Sequence, residues 1–356
     1  MVNQIETTMC LTFKCVIPHN LTSRLEKLYN ASLAVTKRML EDRTKTSSKF
    51  FKEIPCVLAK SLISKYQRNK KLKSIKNLVL PVCGDKGKQV KIEANGIRVP
   101  AFFKKQIIPC VFPKPIVGFI RQVEFFKRNK VWYMSYSYNV AKDTDIITNS
   151  CIGVDRNSVG NTATIANLET GKVKKLGVST ADTSREFRNR RAKLQRQNKK
   201  RALCQLSKKQ ARRTKDNNHK VSRSIVNYAK LHCKAIALEK LGKIAKNGKA
   251  KRYVQKSQWP FYQLETFIRY KASLLGIPVL EINPKNTSKM CSKCGQINNP
   301  NGKFFVCKKC GHVDHRDTNA AFNIAQLGNL ALEQRGSSVG LNGNPLNLEV
   351  EANAVR

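Results

Sequence analysis

The chain has 356 residues, with 68 Lys and Arg against 23 Asp and Glu, a formal charge of +45. That length holds two or three domains, and so large an excess of one sign repels itself unless it meets a polyanion. Nucleic acid is the leading partner, bound in a strongly salt-dependent way, with an anionic membrane the weaker reading. No apolar run is long enough to cross a bilayer, and the polar start MVNQIETT is not a secretory signal, so the expected place is the cytoplasm, in contact with the nucleoid. Of twelve cysteines, eight are scattered singly: Cys10, Cys15, Cys56, Cys83, Cys110, Cys151, Cys204 and Cys233. In a reducing compartment these read as small buried hydrophobes.

Residues 4–17 alternate loosely and are rich in Thr, Val, Phe and Ile, which predicts a strand. Pro18-His19-Asn20 ends it. Leu21, Leu25, Leu28, Val35 and Met39 then recur at helical spacing, and a second helix is expected over about 54–69. Lys70, Lys71, Lys73 and Lys76 make a basic run. From Gln89 the pattern turns to β, with a hairpin at Asn95-Gly96 and strands over 117–126 and 131–140. Trp132, Met134, Tyr136 and Tyr138 fall on one face, which reads as core. The first strand and 89–140 can therefore build one small β-domain, interrupted by the helices of 21–85.

After a polar linker at Thr144–Asn149, Cys151–Asp155 is a short apolar strand ending in an acid. Thr162–Leu168 and Lys172–Val178 continue as a meander around the turn Glu169-Thr170-Gly171. Residues 181–230 hold 17 Lys or Arg and three acids, Asp182, Glu186 and Asp216. We expect two long basic helices with a turn near Asp216–Asn218, unable to form a core of their own and suited to lie along a phosphate backbone. Lys234–Glu239 is a second apolar run ending in an acid. Residues 244–257 read as a mobile basic loop, Trp259-Pro260 as a helix start, Gly276 as its end, and Ile277–Ile282 as another strand. Beyond Ala325 the chain is rich in Asn, Gly and Ser and reads mostly as a flexible tail.

The most specific local signal is Cys291–Cys310. Two Cys-x-x-Cys pairs, Cys291/Cys294 and Cys307/Cys310, are separated by twelve residues, and each is followed at once by glycine, Gly295 or Gly311. Two such knuckles offer four thiolates as a tetrahedron, the shape and softness that zinc prefers. With every position filled by sulfur, one Zn2+ would be structural. His312 and His315 lie close enough to stand in for a cysteine as a minor variant. Acids are scarce, yet Asp155 and Glu239 each end an apolar strand and Asp317 opens an Ala-rich helix. Three carboxylates on separate elements suit two hard cations such as Mg2+, which activate water and stabilise the leaving oxygen of a phosphodiester. Taken singly, each acid reads as a salt bridge, or Asp317 as a helix cap. That plain reading is kept for Asp314 and Glu281, although Glu281 has the same strand-end look as Glu239 and is its rival.

Four motifs in this order carry a resemblance: G-V-D at Gly153–Asp155, A-L-E-K-L at Ala237–Leu241, N-T-S-K-x-C-S-x-C-G at Asn286–Gly295, and C-x-x-C-G-x-x-x-x-R-D-x-N-A-A-x-N-I at Cys307–Ile324. Together they resemble TnpB, the RNA-guided nuclease of insertion sequences and relative of compact type V CRISPR effectors. The resemblance covers about residues 150–327; the N-terminal half matches in layout only. It implies an α/β RNase H-like (RuvC) nuclease domain over 148–284 and 314–330, with Asp155, Glu239 and Asp317 as catalytic triad and the basic helices of about 181–230 as an insertion. It further implies an inserted zinc ribbon at 285–313 and a flexible tail at 331–356. An N-terminal β-barrel-like wedge domain would comprise 1–18 and 89–147, with a helical recognition insertion at 19–88. A guide RNA from the element's end and a target DNA with a short adjacent motif would be the partners. One departure is Arg156, where many relatives carry a smaller residue. A compact CRISPR effector and a non-catalytic RNA-guided DNA-binding protein are the competing functions.

Overall fold

The computed structural model describes residues 8–241 and 261–337; the expected loop at 244–257 and the Trp259-Pro260 helix start lie outside them. The chain divides into two compact units, Met1–Lys142 and Asp143–Arg356. The expected boundary at 147 moves back because Asp143 N–H donates to the Leu274 carbonyl (3.0 Å) and Ile146 N–H to that of Gly276 (2.7 Å), which ties this segment to the second unit.

In the first unit, strand β1 (Thr8–Val16) is followed by helix α1 (Thr22–Glu41) and helix α2 (Cys56–Leu62), which runs on as one wider turn over Ile63–Gln67. Then come β2 (Leu80–Cys83), the small strands β3 (Lys91–Glu93) and β4 (Gly96–Arg98), a single turn α3 (Pro100–Phe103), and β5 (Ile107–Pro109). The long hairpin β6 (Val117–Arg128) and β7 (Val131–Ala141) completes the unit. The main sheet has the order β1-β7-β6-β2, and β3-β4-β5 forms a second sheet. The described strands therefore make two open sheets rather than one barrel. Leu80–Cys83, expected within the helical insertion, is a sheet strand because Leu80 and Val82 are fully buried opposite Phe125 and Val123. Trp132, Met134, Tyr136 and Tyr138 are buried as their alternation requires. Trp132 stacks edge-on with Tyr29 of α1 at 5.6 Å.

The second unit is built on β8 (Cys151–Arg156), β9 (Ala163–Asn167), β10 (Val173–Leu176), β11 (Ala235–Glu239) and β12 (Val279–Ile282). Their order is β10-β9-β8-β11-β12, with β9 antiparallel to β8 and β8, β11 and β12 parallel. This is the strand arrangement of the expected ribonuclease H-like sheet. Both faces of the central strands are covered, which is why β8 and β11 read as unbroken apolar runs. On one face, Ile152, Val154 and Ile236 pack against α5 (Lys200–Leu231) and α6 (Phe261–Leu274). On the other, Cys151, Ala237 and Leu280 pack against α7 (Arg316–Ser337).

Three expectations change here. The turn between the basic helices is at Gln197–Lys199, between α4 (Thr180–Arg196) and α5, where Asn198 takes a left-handed φ of 52°. Asp216–Asn218 lies inside α5, its Asp216 paired with Lys220 one turn on. The second half of α5 is no insertion without a core: Val221, Ile225, Val226 and Ala229 are buried against the sheet. And the helix after Asp317 does not stop at residue 330, because Leu327 and Ala331 still bury against the sheet and α7 reaches Ser337. Residues 338–356 of the expected tail lie outside the described set. The single cysteines also divide: Cys151 is buried, Cys15 and Cys110 half-buried, and Cys10, Cys56, Cys83, Cys204 and Cys233 exposed. Apolar neighbours in sequence do not decide which face of a strand or helix a residue occupies.

Helix α7 lies so close to β8 that backbones touch. A Cβ on Gly153 would stand 2.0 Å from the Ala321 carbonyl oxygen and 2.5 Å from the Ala325 nitrogen. Gly153→Ala is expected to cost about 1–3 kcal/mol or more, since the obstacle is main chain and cannot turn aside. Denaturant unfolding that shows no loss of midpoint would refute this packing.

Candidate active site and metal centre

Strands β8 and β11 point the same way, so their carboxyl ends carry Asp155 and Glu239 to the same edge of the sheet. Asp155, Gly153 and Cys151 alternate onto the α7 face, as do Glu239, Ala237 and Ala235. Asp317 stands in the first turn of α7, above that edge. All three acids line one cavity of about 540 Å3, together with Lys303, His315 and Arg316. Glu281 does not: it is exposed on β12 and paired with Arg269 at 2.6 Å. Parity excludes it, because Leu280 and Ile282 take the inward positions on that strand. Asp314 bonds its neighbour, accepting from His315 N–H at 2.6 Å.

Burial raises the Asp155 carboxyl well above the ordinary range, and the charges of Glu239 and Asp317 push the same way. The Asn157 side chain and the Arg156 guanidinium work against that rise. Glu239 is raised chiefly by burial, with the Thr287 hydroxyl, which donates to its Oε1, and Arg156 opposing. Three carboxyls lining one cavity, two of which push the buried Asp155 upward, make a donor set that hard divalent cations fit. Their oxygens are not drawn into a single tight group: among the described residues, the group whose ligand atoms all lie within 4.8 Å of one another is the four cysteines.

Those cysteines form two matching knuckles. Gly295 N–H donates to Cys291 O (2.9 Å) and Gly311 N–H to Cys307 O (3.0 Å); Cys291 N–H donates to Gln296 O and Cys307 N–H to His312 O, both at 2.9 Å. Gly295 and Gly311 take φ of 72° and 70°, a left-handed turn that a side chain disfavours. Sulfur separations are 3.7 Å for Cys291–Cys310 and 3.5 Å for Cys294–Cys307. A tetrahedron with Zn–S bonds of about 2.3 Å has edges of about 3.8 Å, so the four sulfurs fit zinc. Main-chain N–H groups of Cys310 and Lys309 help pull the Cys307 thiol down to about 6, while Cys291 and Cys294 are raised. His312 and His315 stay outside this set.

The sequence reading missed the clamp that joins the two sites. Asn319 and Asn323, one turn apart on α7, are fully buried. Asn319 donates to Met290 O (2.7 Å) and accepts from Ser292 N–H (2.9 Å); Asn323 donates to Thr287 O (2.8 Å) and Met290 O (2.7 Å). The N-A-A-x-N run was visible, and its asparagines at helical spacing among alanines were the available sign. Thr287 was also missed, since nothing local marks a hydroxyl 48 residues from the acid it contacts.

The match to known proteins agrees with this architecture. Residues 261–324 match the family model described as Cas12f1-like, TNB domain. A CRISPR-associated endodeoxyribonuclease Cas12f1 of Sulfoacidibacillus thermotolerans is 30% identical over 218 residues, 56% of this chain and 50% of that protein. A TnpB-like protein of Methanocaldococcus jannaschii is 33% identical over 175 residues, 46% of this chain and 60% of that one. The matches thus span 50% and 60% of the length of these curated relatives. In fold, the chain is similar to Cas12f1 in the cryo-EM structure of a Cas12f1-sgRNA-target DNA complex, with a TM-score of 0.60, 17% identity, and coverage of 86% of this chain and 83% of that one. The likeness is one of fold. In sequence the chain is similar, over part of its length, to TnpB-like proteins and to compact type V effectors.

Proposed function

We propose that the protein is an RNA-guided DNA endonuclease of the TnpB type. The observation that carries this is the convergence of Asp155, Glu239 and Asp317, from two strand ends and a helix start, on one cavity of a ribonuclease H-like sheet. The +45 charge supplies the reason such a site would meet nucleic acid. Relatives named endodeoxyribonucleases support the reaction class.

In this reading the second unit is a RuvC-type nuclease domain and Asp155, Glu239 and Asp317 hold two Mg2+ ions. When bound, such ions make hydroxide available at neutral pH and neutralise charge on the leaving oxygen. The chain's own residues do the rest. Thr287 holds one oxygen of Glu239, which lines the cavity. His315, with Nδ1 accepting from Asp317 N–H at 3.3 Å, fixes the first turn of α7. Lys303 and Arg316 offer positive charge to a phosphate backbone at the cavity wall. The four cysteines hold one Zn2+ and keep Lys303 and His315 in place. The first unit would be the wedge domain, with α1 and α2 as its recognition insertion, and the protein would act in the cytoplasm on nucleoid DNA.

The test is to express the protein beside its own flanking DNA, sequence the RNA that co-purifies, and assay cleavage with it. We expect one dominant RNA with a fixed scaffold and a variable end, and Mg2+-dependent cutting of DNA that pairs with that end. An RNA transcribed from a CRISPR array would move the protein to the compact effector class. Random cellular RNA with no guided cutting would overturn the proposal.

A further inference from the structure

Arg156 follows the first acid directly, and neighbours on a strand face opposite ways. Its side chain therefore leaves β8 on the α6 face, away from the cavity. The side chain is 1% exposed. Its Nη1 donates to Glu265 Oε2 on α6 at 2.7 Å, and its Nη2 donates to the main-chain carbonyl of Glu239. Among the described residues its Nε has no partner. The guanidinium thus touches three elements: it grows from β8, holds the last residue of β11 and pairs with α6.

The place of that contact matters. The β8–β11 ladder ends at the pair Val154 and Leu238. Asp155 and Glu239 are the next residues on the two strands, just past the point where regular pairing stops. On its other side β11 stays attached, because Lys240 N–H donates to Ile282 O at 2.9 Å. Toward β8, the Glu239 carbonyl is met by Arg156 instead of by a strand. The carboxylate of Glu239 is then aimed by two contacts: Thr287 at its Oε1, and Arg156 at its own peptide group.

We propose that Arg156 is a positioning residue for the acid cluster: its guanidinium staples the parting ends of β8 and β11 to α6 and so fixes the distance and aim of Glu239 relative to Asp155. The proposal rests on the nuclease reading for the meaning of that cluster, though not for the geometry. Stability alone does not explain the arrangement. A buried ion pair is often no better than apolar groups of the same volume. Glu265 also keeps a second cation, Arg269 at 3.0 Å, if Arg156 is removed.

The experiment compares full-length wild type, Arg156→Met, Arg156→Lys and Asp155→Ala, each with the co-purified RNA. Three quantities are read: melting temperature, Mn2+ affinity by calorimetry, and single-turnover cleavage against Mg2+ concentration. Arg156→Met should melt near wild type, bind Mn2+ about tenfold more weakly, and cut about 100-fold more slowly. Arg156→Lys retains a cation for Glu265 but lacks the planar fork that spans both acceptors. It too should melt near wild type while staying weak in Mn2+ binding and slow in cleavage. Lysine that restores affinity and rate in full overturns the proposal, as does a methionine variant whose melting and activity collapse together. A wild type that binds Mn2+ through Asp155 but cuts nothing overturns the nuclease reading instead. The Mn2+ comparison then still decides Arg156: equal affinity in wild type, Met and Lys variants overturns the staple.

Discussion

Asp155→Ala is expected to abolish guided DNA cleavage, by on the order of 10^3-fold or more, while guide RNA binding stays as in wild type. Asp155 is the acid on which the cavity converges: it is buried and repelled by both partners. Removing it leaves two carboxylates on elements that do not share a strand pair, too few to order a pair of ions. The same residue weighs on the fold. Its folded-state value is raised, so at neutral pH the unfolded chain releases the proton more easily than the folded one, and the ionised group opposes folding above the ordinary carboxylate range. Asp155→Asn, which keeps the volume, should therefore melt higher than wild type in a chelating buffer, by about 2–4 °C if the relief is about 1 kcal/mol. Activity and metal-free stability should move in opposite directions. Full cleavage by Asp155→Ala would falsify the active site, and a lower melting point for Asp155→Asn would remove the electrostatic account.

The second large effect is expected from zinc. The buried apolar cluster of the ribbon is Phe305 with Cys291 and Cys307 themselves, and Met290 is the other large apolar side chain buried there. So few apolar side chains cannot hold some thirty residues in place, so a bound zinc would supply the folding energy, which in small zinc domains is on the order of 10 kcal/mol. Purified protein should contain one zinc per chain by atomic emission. Cys291→Ser should lose that zinc and lose protection from protease between residues 293 and 312. The main melting transition should survive, because both faces of the five-stranded sheet are packed without the ribbon. Cleavage should fall with the ribbon, since Lys303 and His315 line the acid cavity. Withdrawal of Mg2+ should be reversible by adding it back, whereas a strong zinc chelator should leave protein that Mg2+ does not rescue. A Cys291→Ser protein that stays zinc-loaded and protease-resistant would end the structural role of the ribbon.

What could be read from sequence was whatever is written locally. Asp155 and Glu239 close short apolar runs, and a run of that kind is a buried strand whose end points to one edge. The knuckles are legible because a tight turn, its glycine and two thiols lie within five residues. The turn at Gln197–Lys199 was not legible, since its left-handed residue is an asparagine and the basic residues continue through it. The core half of α5 was hidden because Val221, Ile225, Val226 and Ala229 are spaced among Arg223, Ser224, Asn227 and Lys230, which face solvent. Thr287, Asn319 and Asn323 serve the site through partners 27 to 48 residues away. Only the folded chain reveals such pairings. Arg156 stands out in the sequence as a departure from the motif, but a strand residue shows its face only when the strand beside it is known.

The contact of Gly153 with Ala321 and Ala325 has one more consequence. Asp155 is two residues beyond Gly153 on β8, and Asp317 is four residues before Ala321 on α7. The gap between these two acids is therefore gauged by main chain resting on main chain, without a side chain between them that could yield. Surface evolution of α7 leaves that gauge untouched. Bulk added at position 153 opens it, so the width of the cleft is inherited through the smallest residues of the domain rather than through its acids.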